Sequence, residues 1–319
     1  HIFSDAEFTA DMDYFAPGAE WTVLYETVPF SLDAVADGDP FGAAFTNDEG
    51  YEVQFSGTRN GSNLYYSRYP GVMAYSDYDE TDYADIDDAG FEQQWPISSE
   101  EALPAAEEAI RGLGIENVAL AGMERAVTYL PGLQGTTVDT RGWMFYFSNE
   151  LNGLVRGGLH YYSYNIYNAD LPNYQVPLWS MLRVFVDETG VGMVEWRKAY
   201  DLADTVLQNV AILSPEEIAD QMTEYLQLQR EQSPAIVANT ITVTEMRLCA
   251  TAISEYKSDF IGATFDMEFD EGLLVPCWEM EIQTDLSDAY SSGLTTVYVF
   301  DAIHGGILPS KYYSKDPVT

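Results

Sequence analysis

An internal repeat constrains the fold of this chain more than any other feature of the sequence. Residues 98–101 read Ser-Ser-Glu-Glu, residues 214–217 read Ser-Pro-Glu-Glu, and a helix-like pattern follows each. A serine at the N-cap with acids in the first turn satisfies free N–H groups and favours the helix dipole, and proline suits the first helical position. The two segments predict helices that run to about Leu113 and about Gln229.

Three strand-like segments follow each predicted helix in the same order. They are Val118–Leu130, Gly142–Ser148 and Leu182–Glu195 after the first helix, and Thr240–Ile253, Leu274–Ile282 and Thr296–Leu308 after the second. The last segment of each set holds an aspartate, a short turn and a glycine. Because these features recur in order, we predict an α+β fold with tandem helix-plus-antiparallel-meander units. The alternative is a chance similarity between amphipathic elements.

The first 97 residues are rich in aromatic and acidic residues and do not share the repeat. Alternating segments at Trp21–Val28, Tyr51–Ser56 and Asn63–Tyr69 predict antiparallel strands, and Asn60-Gly61 predicts a type I′ turn between the last two. We therefore divide the chain into an N-terminal β-rich region over 1–97, a first helix-plus-meander unit over 98–200 and a second over 201–319.

The charge of the chain excludes two classes of partner. The sequence has 14 Lys and Arg against 52 Asp and Glu, a formal net charge of −38, and no basic cluster occurs in it. Nucleic acids and anionic lipid head groups bind through such clusters, so we expect neither as a partner. The charge either keeps the surface solvated or attracts cations or basic peptides. A hydrophobic content of 46% still predicts a folded protein with a large core.

Two segments of the second unit resemble cell-surface domains of the PepSY and cystatin-like kind. They are residues 274–278, Leu-Val-Pro-Cys-Trp, and residues 299–306, Val-Phe-Asp-Ala-Ile-His-Gly-Gly. Over residues 98–310 the chain is similar to extracytoplasmic lipoproteins of Gram-positive gut bacteria, including those similar to the YycH and YycI regulators of a sensor kinase. The resemblance implies a surface lipoprotein or regulator without assigned catalytic residues.

The expected location is extracellular, at the cell surface. No segment has the roughly 20 consecutive apolar residues that span a bilayer. The sequence begins at His1 rather than methionine, and we expect a precursor in which an export signal precedes this residue. Membrane attachment is then expected only through a lipid anchor outside the present sequence.

Motifs for covalent chemistry do not occur in the sequence. The histidines are His1, His160 and His304, and there is no Gly-x-Ser-x-Gly elbow, zinc-binding spacing or phosphate-binding loop. We therefore expect a non-enzymatic protein with no cofactor and no metal site. The acidic segment Asp85–Gly90 fails the EF-hand pattern, so a solvated loop is favoured, and a calcium site of another type stays open.

The two cysteines lie on predicted strands whose faces can be assigned by alternation. One face of the first strand carries Ile241, Val243, Glu245, Arg247 and Cys249, and the more polar face of the second carries Val275, Cys277, Glu279 and Glu281. If the strands pair antiparallel with Cys249 opposite Cys277, Arg247 lies opposite Glu279 as a favourable charge pair. This register leaves two alternatives, a Cys249–Cys277 disulfide or two free buried thiols.

An aromatic insertion distinguishes the first unit from the second. The stretch from Trp143 to Asp187 is longer than its counterpart from Trp278 to Asp301. The additional segment, 158–179, supplies the candidate ligand-binding residues Tyr161, Tyr162, Tyr164, Tyr167 and Trp179. Such side chains stack on sugars or grip peptides, although they can equally cover the sheet or pack against the N-terminal region.

These patterns predict a non-enzymatic cell-surface lipoprotein that acts as a protein-interaction or regulatory scaffold. Its partner is expected to be a protein or cell-wall material. The alternative is a glycan- or peptide-binding module that uses the insertion 158–179, and a degradative enzyme is the third class considered.

Overall fold

The structure, a computed structural model, consists of antiparallel sheets with few helices. It describes residues 1–48, 50–69, 72–75, 95–132, 135–155, 175–177, 181–197, 209–232, 238–255, 273–286 and 294–308. Within these residues the helices are α1 (Asp5–Phe15), α2 (Ser99–Gly112) and α3 (Pro215–Gln232). The predicted α+β class is therefore confirmed.

The strands are numbered in chain order. They are β1 (Thr22–Val23), β2 (Pro40–Thr46), β3 (Glu52–Thr58), β4 (Leu64–Ser67), β5 (Val72–Tyr75), β6 (Val118–Gly132), β7 (Gly135–Asn149), β8 (Gln175–Pro177), β9 (Met181–Asp187), β10 (Gly190–Arg197), β11 (Ala238–Glu255), β12 (Leu273–Leu286), β13 (Leu294–Asp301) and β14 (Ile307–Leu308).

The chain divides into two compact units. The first comprises His1–Ser148 with Ser180–Leu202, and the second comprises Asn149–Trp179 with Ala203–Thr319. The first contains a sheet of order β1-β2-β3-β4-β10-β9-β7-β6-β5, and the second a sheet of order β14-β13-β12-β11-β8. The N-terminal strands thus extend the sheet of the first repeat, because β4 pairs antiparallel with β10.

The strand order and register show the predicted duplication. The neighbouring strands β6-β7-β9-β10 of the first unit correspond to β11-β12-β13-β14 of the second. Gly142 and Trp143 lie opposite Asp187 and Val186, and Cys277 and Trp278 lie opposite Asp301 and Phe300. The tryptophan and the turn aspartate therefore have the same relative register in both units.

The two repeats also fix their helices in the same way. The Trp143 indole N–H donates to the carbonyl oxygen of Ile97 (2.9 Å), and the Trp278 indole N–H donates to that of Leu213 (2.8 Å). Each acceptor immediately precedes the serine that begins the helix, and each serine is paired with the glutamate three residues later. The central strand of each repeat is thus tied to the first turn of its helix.

Each helix packs an apolar face on its own sheet. In the first unit small residues of α2, such as Ala102 and Ala106, contribute to a core that includes Phe145 and Val184. In the second unit Ile218 and Met222 of α3 join Met280, Ile282 and Phe300. The buried helix positions fall four residues apart, as expected for one face of an amphipathic helix.

The N-terminal region contains antiparallel strands as predicted, together with a helix that the strand prediction missed. Ser4 accepts a hydrogen bond from the backbone N–H of Glu7, and Glu7 accepts one from the backbone of Ser4. This capping box begins α1, whose Phe8 is fully buried against Phe41 and Phe55. The Ser-x-x-Glu spacing was the sequence signal for it.

The turn between β3 and β4 is longer than predicted. Five residues, 59–63, separate the strands, and the Gly61 N–H donates to the Thr58 carbonyl oxygen (2.7 Å). Asn60 has the positive φ (54°) that the Asn-Gly pair indicated. The type I′ two-residue hairpin was therefore wrong in length, although the position of the turn was right.

Candidate interaction surface

The outer edge of β11 is open to solvent over part of its length. Strand β8, from the insertion after β7, pairs with β11 only at Ile253–Glu255, and the Ala250 N–H donates to the Val155 carbonyl oxygen (3.2 Å). In the part of the chain that the structure describes, no strand pairs with this edge between Thr240 and Leu248. We call this stretch the β11 edge.

Side chains on both faces of the β11 edge reach solvent. All five residues from Ile241 to Glu245 are exposed, and the apolar Ile241 and Val243 are 39% and 50% exposed. Thr240, Ile241, Thr242, Val243 and Thr244 are all β-branched, which favours an extended backbone. The edge is therefore both extended and open to solvent.

A β-bulge at Thr244 changes which side chains share a face. Val243 lies opposite Ile282, but Glu245 lies opposite Glu281, so Thr244 is the additional residue on β11. Ile241 and Val243 consequently lie on the face of Ile282, toward the helix side. The alternation that placed them with Arg247 and Cys249 was wrong, because a bulge inserts one residue and reverses the pattern.

Carboxylates dominate the opposite face of the edge. Glu245 and Glu281 are cross-strand neighbours, and the Thr244 hydroxyl donates to the Glu281 carboxylate (2.7 Å). Arg247 donates to Glu279 (2.6 Å) and lies 3.7 Å from Glu245. Burial alone would lower the pKa of Arg247, but the hydrogen bond with Glu279 and the charges of Glu279 and Glu245 raise it.

The predicted cysteine register is confirmed. Cys249 lies opposite Cys277, and Arg247 lies opposite Glu279. Both side chains are buried, and the structure has no disulfide between them. The choice between a disulfide and two buried thiols stays a prediction. Burial, with the charges of Cys249 and Asp301, raises the pKa of Cys277 well above its usual range. A neutral buried thiol is a poor nucleophile, so a high pKa disfavours Cys277 as a nucleophile.

His304 lies in the turn between β13 and β14. Its Nδ1 is 3.0 Å from the Asp301 carboxylate, which also accepts hydrogen bonds from the backbone N–H groups of Ile303 and His304. Asp187 has a related role in the first unit, where it accepts hydrogen bonds from the backbone and hydroxyl groups of Thr189. These contacts are those of turn residues.

The other sequence candidates lie outside the described residues. These are Tyr161, Tyr162, Tyr164, Tyr167 and Trp179 of the aromatic insertion, with His160 and the acidic segment Asp85–Gly90. Binding of a glycan or peptide by the insertion stays a prediction, as does a calcium site. Among the described residues, no group of three or more His, Cys, Asp or Glu could hold a metal ion.

No helix among the described residues is long and apolar enough to span a bilayer.

The fold and register define a duplicated α+β protein with two helix-plus-antiparallel-meander repeats. No protein-family model matches the sequence, and a search of curated proteins finds no match. The chain is similar in structure to an uncharacterized protein from Eubacterium rectale, with 13% identity and a TM-score of 0.52 over 95% of this chain and 80% of that one. At this identity the likeness shows the fold alone.

A second solved structure is the C-terminal domain of YpeB from Bacillus megaterium. It shares 13% identity with the chain, and the comparison covers 96% of each, with a TM-score of 0.34. That score is too low to carry an argument about this protein.

Proposed function

We propose that this protein is a non-enzymatic, PepSY-like lipoprotein of the cell surface that acts as an interaction scaffold and binds a protein partner through the β11 edge. The observation that carries the proposal is the run of five exposed residues, Ile241–Glu245, on a strand edge. Edge strands present N–H and C=O groups that pair with an extended segment of another chain.

The contrast with the outermost strands supports this assignment. Strands β1, β5, β8 and β14 are the outermost strands of the two sheets and have two, four, three and two residues. Short edge strands limit unwanted pairing. Strand β11 has 18 residues, and β8 covers three of them. Strand β6 also extends beyond its outer partner β5, but its residues 118–122 are half-buried, whereas Ile241–Glu245 of β11 are all exposed. The exposed stretch of β11 is therefore a place at which strand addition is favoured.

Surface location is part of the proposal and is supported by the resemblance to extracytoplasmic lipoproteins. In the native organism, protease added to intact cells should degrade the protein, and detergent rather than salt should release it from membranes. Recovery of the protein in the cytosolic fraction, protected from protease, would contradict the location.

Partner binding can be tested by site-specific photocrosslinking in native cells. A benzoylphenylalanine at Thr242 on the β11 edge should give a discrete covalent adduct on irradiation. The matched control has the same residue at Glu224, an exposed position on α3 of the same unit. The absence of an adduct from position 242, or equal adducts from both positions, would contradict the proposal.

A further inference from the structure

We propose that the β11 edge binds an extended, amphipathic peptide segment that is apolar on one face and carries lysine or arginine on the other, added as a further strand of the second sheet. This inference rests on the proposed function and specifies the chemistry of the partner. It follows from the backbone, the bulge and the charges of the edge.

The backbone of the edge is prepared for strand addition. Residues 240–243 pair in register with 282–285 on the inner side, which fixes them as extended. In an antiparallel pair the peptide groups of alternate residues point away from the partner strand and can bond a strand on the other side. Preorganisation reduces the entropy lost on binding, so a segment that is already extended is a favourable acceptor.

The bulge at Thr244 gives the two faces of the edge different chemistry. On the helix side, the exposed Ile241 and Val243 offer apolar contact to every second residue of an added strand. On the opposite side, Glu245 offers a carboxylate whose side chain is 55% exposed. Because strand side chains alternate between faces, the complementary segment alternates apolar and basic residues.

The carboxylates on that side have an unbalanced charge. Glu245 and Glu281 lie directly opposite each other, and like charges at opposite positions destabilise a strand pair. Among the described residues, Arg247 is the cation that contacts this group, and its shorter contact is to Glu279 (2.6 Å) rather than to Glu245 (3.7 Å). A lysine or arginine of the added strand would relieve this repulsion.

Net charge selects a basic partner over a second copy of the chain. Each copy carries a formal charge of −38, so two copies repel one another, whereas a basic segment is attracted to the acidic protein. Self-association through this edge is accordingly the outcome that the experiment must distinguish from peptide binding.

The test uses the full chain and a labelled peptide of about nine residues. Lysine occupies every second position of the peptide, and valine or threonine occupies the positions between. Fluorescence anisotropy should show saturable binding that weakens as salt is raised. A peptide with glutamate in place of lysine should not bind.

The double variant Glu245→Gln/Glu281→Gln should raise the Kd about tenfold, because it removes two favourable charge contacts. Glu216→Gln/Glu224→Gln, on α3 of the same unit, is the matched control and should leave the Kd unchanged.

A second variant provides an independent test of binding in case the first variant does not fold. Val243→Lys leaves an exposed position exposed, adds a like charge and removes apolar contact, so it should weaken binding while preserving the circular dichroism spectrum. Binding of the acidic peptide, or equal effects of the test and control variants, would overturn the inference. So would self-association on sedimentation that Val243→Lys abolishes, because the occupant would then be a second copy.

The two proposals fail in distinguishable ways. If position 242 captures a protein in cells but the basic peptide does not bind, the interaction scaffold stands and the chemistry assigned to its partner is wrong. If neither experiment gives a positive result, both proposals are wrong.

Discussion

Tyr25 has a backbone conformation that tyrosine rarely adopts. Its φ is 65°, whereas the other described non-glycine residues with positive φ are all asparagines. A side chain with a Cβ meets a steric penalty of about 1–2 kcal/mol in this region. The surrounding hairpin holds Tyr25 in this conformation, because the Val23 N–H donates to the Val28 carbonyl oxygen and the Glu26 N–H donates to the Val23 carbonyl oxygen.

Replacement of Tyr25 by glycine should therefore stabilise the fold. The side chain is 82% exposed and loses little contact on truncation, while glycine removes the steric penalty. We expect a gain of about 0.5–1 kcal/mol in the free energy of unfolding, measured by urea denaturation. Tyr25→Ala is the control, since it removes the ring but keeps the Cβ, and an equal gain in this variant would contradict the explanation.

Asp11 is buried on α1 and is 6% exposed. Burial, together with the negative charge of Glu7, raises its pKa to about 7. Since the folded-state pKa is above the unfolded value of about 4, folding takes up a proton between these two pH values. The contribution of Asp11 to stability is therefore most favourable at low pH and declines as the pH rises from about 4 to about 7.

Asp11→Asn should remove this decline. At about pH 8 the variant should be more stable than the original protein by an amount on the order of 2 kcal/mol, and the difference should shrink toward about pH 4. Urea denaturation over this pH range measures it. Asp13→Asn, at an exposed position of the same helix, is the control. A difference that is independent of pH, or as large in the control, would contradict the assignment.

At the scale of elements, the contact between a tryptophan and the residue before a helix occurs in both repeats. Trp143→Phe and Trp278→Phe each remove one indole donor from a carbonyl oxygen, at Ile97 and Leu213. We expect each to reduce the free energy of unfolding by about 1–2 kcal/mol, followed by circular dichroism.

Trp21→Phe is the matched control for these two variants, because Trp21 is a half-buried tryptophan with ring contacts to Phe45 and Phe55. The free energy of unfolding should fall less in Trp21→Phe than in Trp143→Phe or Trp278→Phe. A loss in one repeat without the other would show that the two contacts are not equivalent.

The reactivity of the two cysteines on β11 and β12 can be predicted from their burial. Cys249 and Cys277 are buried, and burial raises the pKa of Cys277, so a thiol reagent should not label either cysteine in the folded protein. After unfolding without reductant, intact mass should show that both react. If neither reacts until reductant is added, the cross-strand disulfide is present instead.

Local signals explain which elements could be predicted from the sequence. The serines at 98 and 214, with acids after them, indicate α2 and α3. A register with Cys249 opposite Cys277 is supported by the charge pair that it forms between Arg247 and Glu279. The bulge at Thr244 could not be predicted, because one extra residue leaves no compositional trace. The pairing of β8 with Ile253–Glu255 joins residues far apart in the chain, which periodicity does not detect.

At the scale of the whole molecule, charge and duplication could be inferred from the sequence, but the candidate interaction surface could not. The run of threonine, isoleucine and valine at 240–244 predicts a strand. Its exposure depends on where β8 ends and on the strand order of the sheet, both of which are tertiary properties. The aromatic insertion can be identified from its local composition, whereas an accessible strand edge has no signature in the sequence.

Hydrogen exchange measured by mass spectrometry, with and without the lysine-valine-threonine peptide, tests the central claim most directly. Residues 240–248 of β11 should become protected when the peptide binds, because their outward amides gain hydrogen-bond acceptors. Residues 118–126 of β6, the equivalent strand of the first unit, should exchange as before. Unchanged exchange at 240–248 under saturating peptide, or equal protection of both strands, would contradict the account.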